Sequence, residues 1–160
     1  MLKRALLVAT FALFGGATMS AAPASAQTVD GSAVDDILAL AQQYGEATLA
    51  TQAGGQPRIA GEAGGVPYQL FFLHCDSGIC EDINFYAGFA GIKPTMDSLN
   101  AWNRGNRFGR AYLDSDLDAV IEYDINLEHG VTRDNLNAAF GVWSLVLGEF
   151  ADYIGYAGAQ

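Results

Sequence analysis

The stretch Val66–Ala90, VPYQLFFLHCDSGICEDINFYAGFA, decides the fold. Two apolar, aromatic-rich runs flank Asp76-Ser77-Gly78-Ile79, a turn held between Cys75 and Cys80. That pattern is a β-hairpin. A four-residue loop sets Cys75 opposite Cys80, Phe72 opposite Ile83 and Leu70 opposite Phe85. Leu70, Phe72, Ile83 and Phe85 then share one face and belong in a core. The other face carries Phe71, Leu73, Asn84 and Tyr86. A face that is half aromatic and half polar is either covered by another element or offered to a partner.

Upstream, Glu46–Gln52 and Arg58–Glu62 read as weaker strands around Ala53-Gly54-Gly55-Gln56-Pro57, with Gly64-Gly65 as a further turn. Before them, Val29–Gly45 reads as a helix. Ser32-Ala33-Val34-Asp35 fits a capping box with Asp in place of the usual Glu. Val34, Ile37, Leu38, Ala41 and Tyr44 form its apolar face, and Gly45 stops it. Downstream, Thr95–Asn103 reads as a short helix behind Pro94, with Met96, Leu99 and Trp102 on one side.

Phe108–Leu113 and Ala119–Leu127 form a second hairpin across Asp114–Asp118. That connection sets Leu113 opposite Ala119 and Arg110 opposite Glu122, and turns Ile121, Tyr123 and Ile125 toward the core. The longest helix is Thr132–Ile154. Its positions Leu136, Phe140, Trp143, Leu147, Phe150 and Ile154 step by four and three without a break. Val142, Leu145 and Val146 widen the stripe, which suits either a deeply buried helix or a homodimer contact. The order α-β-β-β-β-α-β-β-α lacks the strand–helix alternation of a parallel sheet. The expected class is α+β, an antiparallel β-sheet flanked by helices.

The first residues point to export. Met1–Arg4 is basic, Ala5–Phe14 is apolar and Ala24-Ser25-Ala26 is a small-residue cleavage site. Together they read as a signal peptide over residues 1–26. The apolar run is too short and too rich in Gly and Ala to cross roughly 30 Å of hydrocarbon. A flexible lead-in over 27–31, one domain over 32–154 and a disordered tail over 155–160 follow. The expected location is periplasmic or secreted, an oxidising space in which Cys75 and Cys80 pair as a disulfide. The formal charge is −10, and loss of Lys3 and Arg4 with the leader makes it more negative. Such a surface repels nucleic acid and anionic lipid, which excludes both as partners.

Chemistry concentrates in Asn100–Asp118, NAWNRGNRFGRAYLDSDLD, where Arg104, Arg107 and Arg110 stand within seven residues of an acidic chain. Arg110 has Glu122 as a cross-strand ion-pair partner, and Arg104 and Arg107 suit the end of a helix. The alternative is a cationic patch for a carboxylate, a phosphate or an acidic peptide. Asp114-Ser115-Asp116-Leu117-Asp118 resembles the first half of a calcium loop, but Ala119 stands where Gly is needed and Ile125 where a bidentate Glu belongs. His74, Cys75, Cys80 and His129 make a poor zinc set, because an oxidised cysteine pair cannot ligate. No cofactor or metal motif is present. There is no nucleophile elbow, no HExxH and no phosphate loop. No enzyme is expected, with a hydrolase built on Asp/Glu pairs as the alternative.

Trp102-Asn103-Arg104 and Arg107-Phe108-Gly109-Arg110-Ala111-Tyr112-Leu113-Asp114 resemble the YbjN domain family of bacteria. Phe85-Tyr86-Ala87-Gly88-Phe89 and Leu147-Gly148-Glu149-Phe150-Ala151-Asp152 agree with it. The resemblance covers about Ser32 to Ile154. It implies a fold like that of type III secretion chaperones, a helix-flanked antiparallel sheet that often dimerises, and a role described as sensory-transduction regulation. It supplies no catalytic residues.

The expectation is a periplasmic, non-enzymatic interaction or chaperone-like regulatory module for an unknown protein or peptide partner. Arg104, Arg107, Arg110, Trp102, Phe71 and Tyr86 are its candidate contact residues. The C-terminal helix is the candidate homodimer contact. The alternative is a small-ligand or cation sensor using the arginines or the Asp-rich tip.

Overall fold

The alternation of apolar residues along the central hairpin is realised as two eleven-residue strands at the middle of a six-stranded sheet. A computed structural model describes residues 27–158. The expected leader over 1–26 lies outside the described residues, as do residues 159–160.

In chain order the elements are β1 (Thr28–Val29), α1 (Val34–Ala41), β2 (Ala47–Thr51), β3 (Pro57–Ala63), β4 (Val66–Asp76) and β5 (Ile79–Phe89). Then come α2 (Met96–Gly105), β6 (Arg110–Leu113), β7 (Ala119–Asn126), β8 (Val131–Thr132) and α3 (Arg133–Ile154). The main sheet has the order β2-β3-β4-β5-β7-β6, and every neighbour is antiparallel. The fold is therefore α+β, as the element order implied.

The turn chemistry sets the register as expected. Cys75 faces Cys80 and is disulfide-bonded to it, with Phe72 opposite Ile83 and Leu70 opposite Phe85. In the second hairpin Leu113 faces Ala119 and Arg110 faces Glu122.

One face of the sheet packs against the helices. Helix α3 lies across β3, β4 and β7, α1 lies beside it on β2 and β3, and α2 packs against β6. Phe85 sits at the centre of this layer. Its ring meets Phe140 at 4.9 Å, Trp143 at 5.3 Å and Tyr123 at 6.0 Å. Aromatic pairs at these separations gain from their quadrupoles beyond the area they bury. Opposite Tyr68 stands Gly61, where an added Cβ would fall 2.4 Å from the tyrosine ring. That glycine lets the ring lie flat over the sheet and reach Trp143 at 5.9 Å.

Helix α3 buries Leu136, Phe140, Trp143, Leu147 and Phe150, the expected stripe, and adds Val146. Ile154 and Val142 are only partly buried, and Leu145 stands 62% exposed. Thr132 caps the helix by accepting from the Asn135 amide, and Gly155 ends it in the left-handed region. Tyr156, placed in the expected tail, instead packs its ring on Phe89 at 5.1 Å.

Two expectations about the N-terminal region fail. The first helix begins at Val34 rather than Val29, and no side chain caps it. The Ser32 amide and hydroxyl both donate to Asp30 Oδ1, so the serine serves an Asx turn and not a capping box. Residues 27–31 are also not a loose lead-in. Thr28 and Val29 pair with Thr132 and Val131, and Val29 is buried. Gly31 crosses the Cys80 carbonyl so closely that a Cβ would lie 1.8 Å from its oxygen, which anchors the segment before helix can start. Met96 departs from the expected face as well. It is 55% exposed at the first position of α2, ahead of the buried Leu99 and Trp102.

Candidate functional site

Side chains alternate across a strand, so the residues that do not face the helices line the opposite side. No described helix covers that side. Its cross-strand rows follow from the register. One row runs Arg58, Phe71, Asn84, Asp124, and the next runs Ala60, Gln69, Tyr86, Glu122, Arg110. A third runs Leu73, Asp82, Asn126. Among the described residues, that face is open around Phe71 and Tyr86, while Asn84 and Val120 on it are buried.

Its centre is built from Phe71 and Tyr86, which are half-buried and meet edge to face at 5.8 Å. A frame of polar contacts fixes the surroundings. Asn84, buried, donates to Asp124 Oδ1 at 2.8 Å. Asn126 donates to Asp82 Oδ1 at 3.1 Å, and His74 Nδ1 lies 2.8 Å from Asp82 Oδ2. The Tyr112 hydroxyl donates to Glu122 at 2.7 Å. Arg58 Nε and Gln69 Oε1, on the same face, find no hydrogen-bond partner among the described residues.

The electrostatics are negative. Burial raises the Tyr86 hydroxyl above its ordinary pKa, and the charges of Asp114 and Glu122 push it further. Tyr112 is raised strongly by burial, then by its bond to Glu122 and by that carboxylate's charge. Both phenols therefore stay neutral donors. Their surroundings favour cations over anions.

Beside Tyr86 a groove of 370 Å³ opens between β4, β5 and the tip of the second hairpin, with Pro67, Gln69, Gly88, Asp114 and Asp118 among its walls. Gly88 leaves room for the Tyr86 hydroxyl, since a Cβ there would approach it to 3.0 Å.

The arginines do not form one site. Arg110 faces Glu122 as predicted, but the expected ion pair does not form among the described residues. Glu122 is taken by Tyr112, and Arg110 Nη1 instead donates to the Asn103 carbonyl at 3.3 Å near the end of α2. Arg107 covers its neighbour Phe108, with the guanidinium carbon 5.2 Å from the ring centre. Arg104 is exposed near the end of α2. Trp102 is 3% exposed and packs on Phe150 at 5.0 Å, so this candidate contact residue belongs to the core.

The Asp-rich tip is ordered around Asp114, while Asp118 Oδ1 is buried without a hydrogen-bond partner among the described residues. Asp114 Oδ1 accepts from the amides of Asp116 and Asp118, each at 2.9 Å. Lys93 bonds the Asp116 carbonyl and lies 3.3 Å from Asp118 Oδ1. Cys75 and Cys80 are oxidised, and His74 is engaged by Asp82. Among the described residues no three His, Cys, Asp or Glu side chains are grouped to hold a metal ion, and no helix is long and apolar enough to cross a membrane.

Two residues that sequence reasoning passed over organise the sheet's margins. The Asn103 carboxamide accepts from the Ala111 amide and donates to the Ala111 carbonyl, both at 2.9 Å, so it acts as a one-residue strand along the outer edge of β6. Gln52 Nε2 donates to the carbonyls of Pro57 and Phe72, each at 2.8 Å. Neither has a sequence signal, because a carboxamide's role depends on which strand edge folding brings to it. Gly109, within the motif that carried the family resemblance, also has a packing reason. A Cβ there would lie 2.7 Å from Val146 Cγ1 and 2.8 Å from Ile121 Cδ1.

Residues 33–155 match the model of the YbjN family, described as "Putative bacterial sensory transduction regulator". Among solved structures, the chain is similar to the Yersinia pestis type III secretion chaperone SycH, determined in complex with a stable fragment of YscM2. The two are 16% identical with a TM-score of 0.45, over 71% of this chain and 97% of that one. No curated protein matches the chain.

Proposed function

The chain belongs to the YbjN family, and from that premise we propose that it is a non-enzymatic protein-interaction module. It works in the periplasm or outside the cell and holds an extended segment of a protein partner against the open face of its sheet.

The observation that carries this reading is the uncovered face itself. An aromatic pair sits at its middle and Asp82, Glu122 and Asp124 stand beside it. Exposed aromatic surface bordered by charge is the composition of a protein contact, in which rings supply area and the charged rim sets orientation. Arg58 and Arg110 share the face, but the carboxylates nearest Tyr86 select a partner segment that carries Lys or Arg between apolar side chains. The leader-like residues 1–26 and the Cys75–Cys80 disulfide support the exported location, since such a pair persists in oxidising compartments.

The test is affinity capture from periplasmic extract of the source bacterium. The wild type is compared with Phe71→Ser/Tyr86→Ser and with Arg104→Ala/Arg107→Ala. The partner is expected to be lost with the first double variant and retained with the second. Equal capture by all three would end the reading.

A second reading rests on the groove beside Tyr86. Its 370 Å³ suits a small molecule, and its aromatic and carboxylate walls suit a cationic one. A thermal-shift screen of organic cations without any response would remove it.

A further inference from the structure

Gly88 opens a gap in the side chains of the uncovered face. It pairs with Val120 of β7, which pairs in turn with Tyr112 of β6. The gap lies in the 370 Å³ groove beside Tyr86, whose other walls include Pro67, Gln69, Asp114 and Asp118. Tyr86 leans over it, since a Cβ on Gly88 would fall 3.0 Å from the phenol oxygen and 3.3 Å from ring carbon Cε1. The volume is near the lower end of the about 300–1,000 Å³ that holds a whole small molecule, and it suits one long side chain.

The polar chemistry of the groove is one-sided. Asp114 spends Oδ1 on the amides of Asp116 and Asp118, and its second carboxylate oxygen stands outside those bonds. Gln69 Oε1 is buried without a hydrogen-bond partner among the described residues. The chain's own nearby cations are engaged elsewhere. Lys93 bonds the Asp116 carbonyl and meets Asp118 at 3.3 Å, and Arg110 donates to the Asn103 carbonyl. Acceptors and negative charge therefore surround an aromatic ring, a setting that attracts a cation to the ring face. Of the two basic side chains, arginine fits it better. Its planar guanidinium stacks on a ring and carries five donors and no acceptor, so it can meet carboxylate and carboxamide oxygens together. An ammonium is a compact, strongly hydrated charge.

The tip adds an apolar lip. Leu117, between Asp114 and Asp118 in the chain, is 59% exposed and has φ 62, a backbone region that favours Gly or Asn. Neither burial nor the turn calls for leucine there.

We propose that this groove receives an arginine side chain of the partner's extended segment, with the guanidinium on Tyr86 and forked to Asp114, and with Leu117 against the arginine's methylenes. The proposal rests on the reading that the open face holds such a segment, and it adds a recognition pattern. An extended segment returns to one face every second residue, rising about 3.4 Å per residue. Gly88 is four residues along β5 from Asn84, whose cross-strand neighbour is Phe71. A segment running along β5 with its arginine at Gly88 thus sets an apolar residue on Phe71 four places away.

The test is selection of a random nonapeptide library on the purified exported chain, followed by fluorescence anisotropy of a selected peptide. Arginine is expected in the selected peptides, with an apolar residue four places from it. Replacing that arginine by lysine should weaken binding about tenfold, and by neutral citrulline at least as much. Asp114→Asn keeps an oxygen for the two turn amides and should weaken the arginine peptide about tenfold without changing the citrulline form. Leu117→Asn should weaken binding while raising the thermal midpoint, a split that a merely structural role would not give. Glu149→Gln, which removes an exposed carboxylate from α3, should leave binding unchanged. Ethylguanidinium alone should displace the peptide only at far higher concentration.

Peptides selected without arginine, yet lost with Phe71→Ser, would overturn the arginine groove and leave the partner-binding face standing. No selected peptide at all would end both. An equal loss with Glu149→Gln, or ethylguanidinium bound as tightly as the peptide, would also overturn the proposal, in favour of net charge or of a free small cation.

Discussion

Replacing Asn103 with Ala removes the side chain that closes the β6 edge. Two hydrogen bonds of 2.9 Å to Ala111 are lost, and Ala111 itself is 6% exposed. Each bond contributes about 0.5–1.5 kcal/mol net, and orphaned buried backbone groups push the total toward the upper end, so about 2–3 kcal/mol is expected. For a domain between the small and medium classes this lowers Tm by about 8–12 °C. The Arg110 bond survives, because it runs to the Asn103 main-chain carbonyl. Urea denaturation gives the energy, and hydrogen exchange gives the mechanism: the Ala111 amide should lose its protection while the amides of the β4–β5 hairpin keep theirs. If Asn103→Ala costs less than about 0.5 kcal/mol and the Ala111 amide stays protected, the carboxamide is not the edge partner and the reasoning fails.

Other outcomes follow from the same geometry. Gly109→Ala forces a methyl into the contact with Val146 and Ile121 and should cost about 1–3 kcal/mol in chemical denaturation. Reduction of Cys75–Cys80 should lower stability by about 2 kcal/mol, the chain-entropy value for so short a loop, without changing the circular dichroism spectrum. Burial pushes the Tyr68 hydroxyl up to about 12. The unfolded chain ionises near 10.0, the ordinary phenol value, while the folded one stays protonated. Stability is therefore unaffected below about pH 10 and falls between about pH 10 and pH 12, by about 2–3 kcal/mol at the end of that window. Tyr68→Phe should flatten this part of a pH series of urea midpoints, with the loss from the other buried tyrosines remaining.

What the sequence disclosed is what short-range chemistry controls. The four residues between Cys75 and Cys80 and the five of Asp114–Asp118 pin both hairpins, so Phe72–Ile83 and Arg110–Glu122 could be paired by counting. The spacing of Leu136, Phe140, Trp143, Leu147 and Phe150 gave the buried side of α3 in the same way. What it concealed depends on distant partners. Ser32 looks like a cap until Asp30 takes its amide and hydroxyl. Arg110 looks like an ion-pair partner until Tyr112 claims Glu122. The two-residue strands at Thr28–Val29 and Val131–Thr132 are too short to carry a pattern, yet they pin the N-terminal segment to the start of α3. The candidate site was half legible. Phe71 and Tyr86 were placed on the face opposite the core by alternation alone. That no described helix covers this face follows only from α1, α2 and α3 packing on the other one.

The central claim is that this face holds a protein partner. A photo-reactive phenylalanine analogue placed singly at Phe71, Tyr86, Met96 and Leu145, irradiated in living cells, tests it most directly. Met96 and Leu145 are exposed positions on helices away from the face and serve as controls. The account predicts one discrete adduct of fixed mass from positions 71 and 86 and none from 96 and 145. Adducts absent from the face positions, or equal from all four, would contradict it.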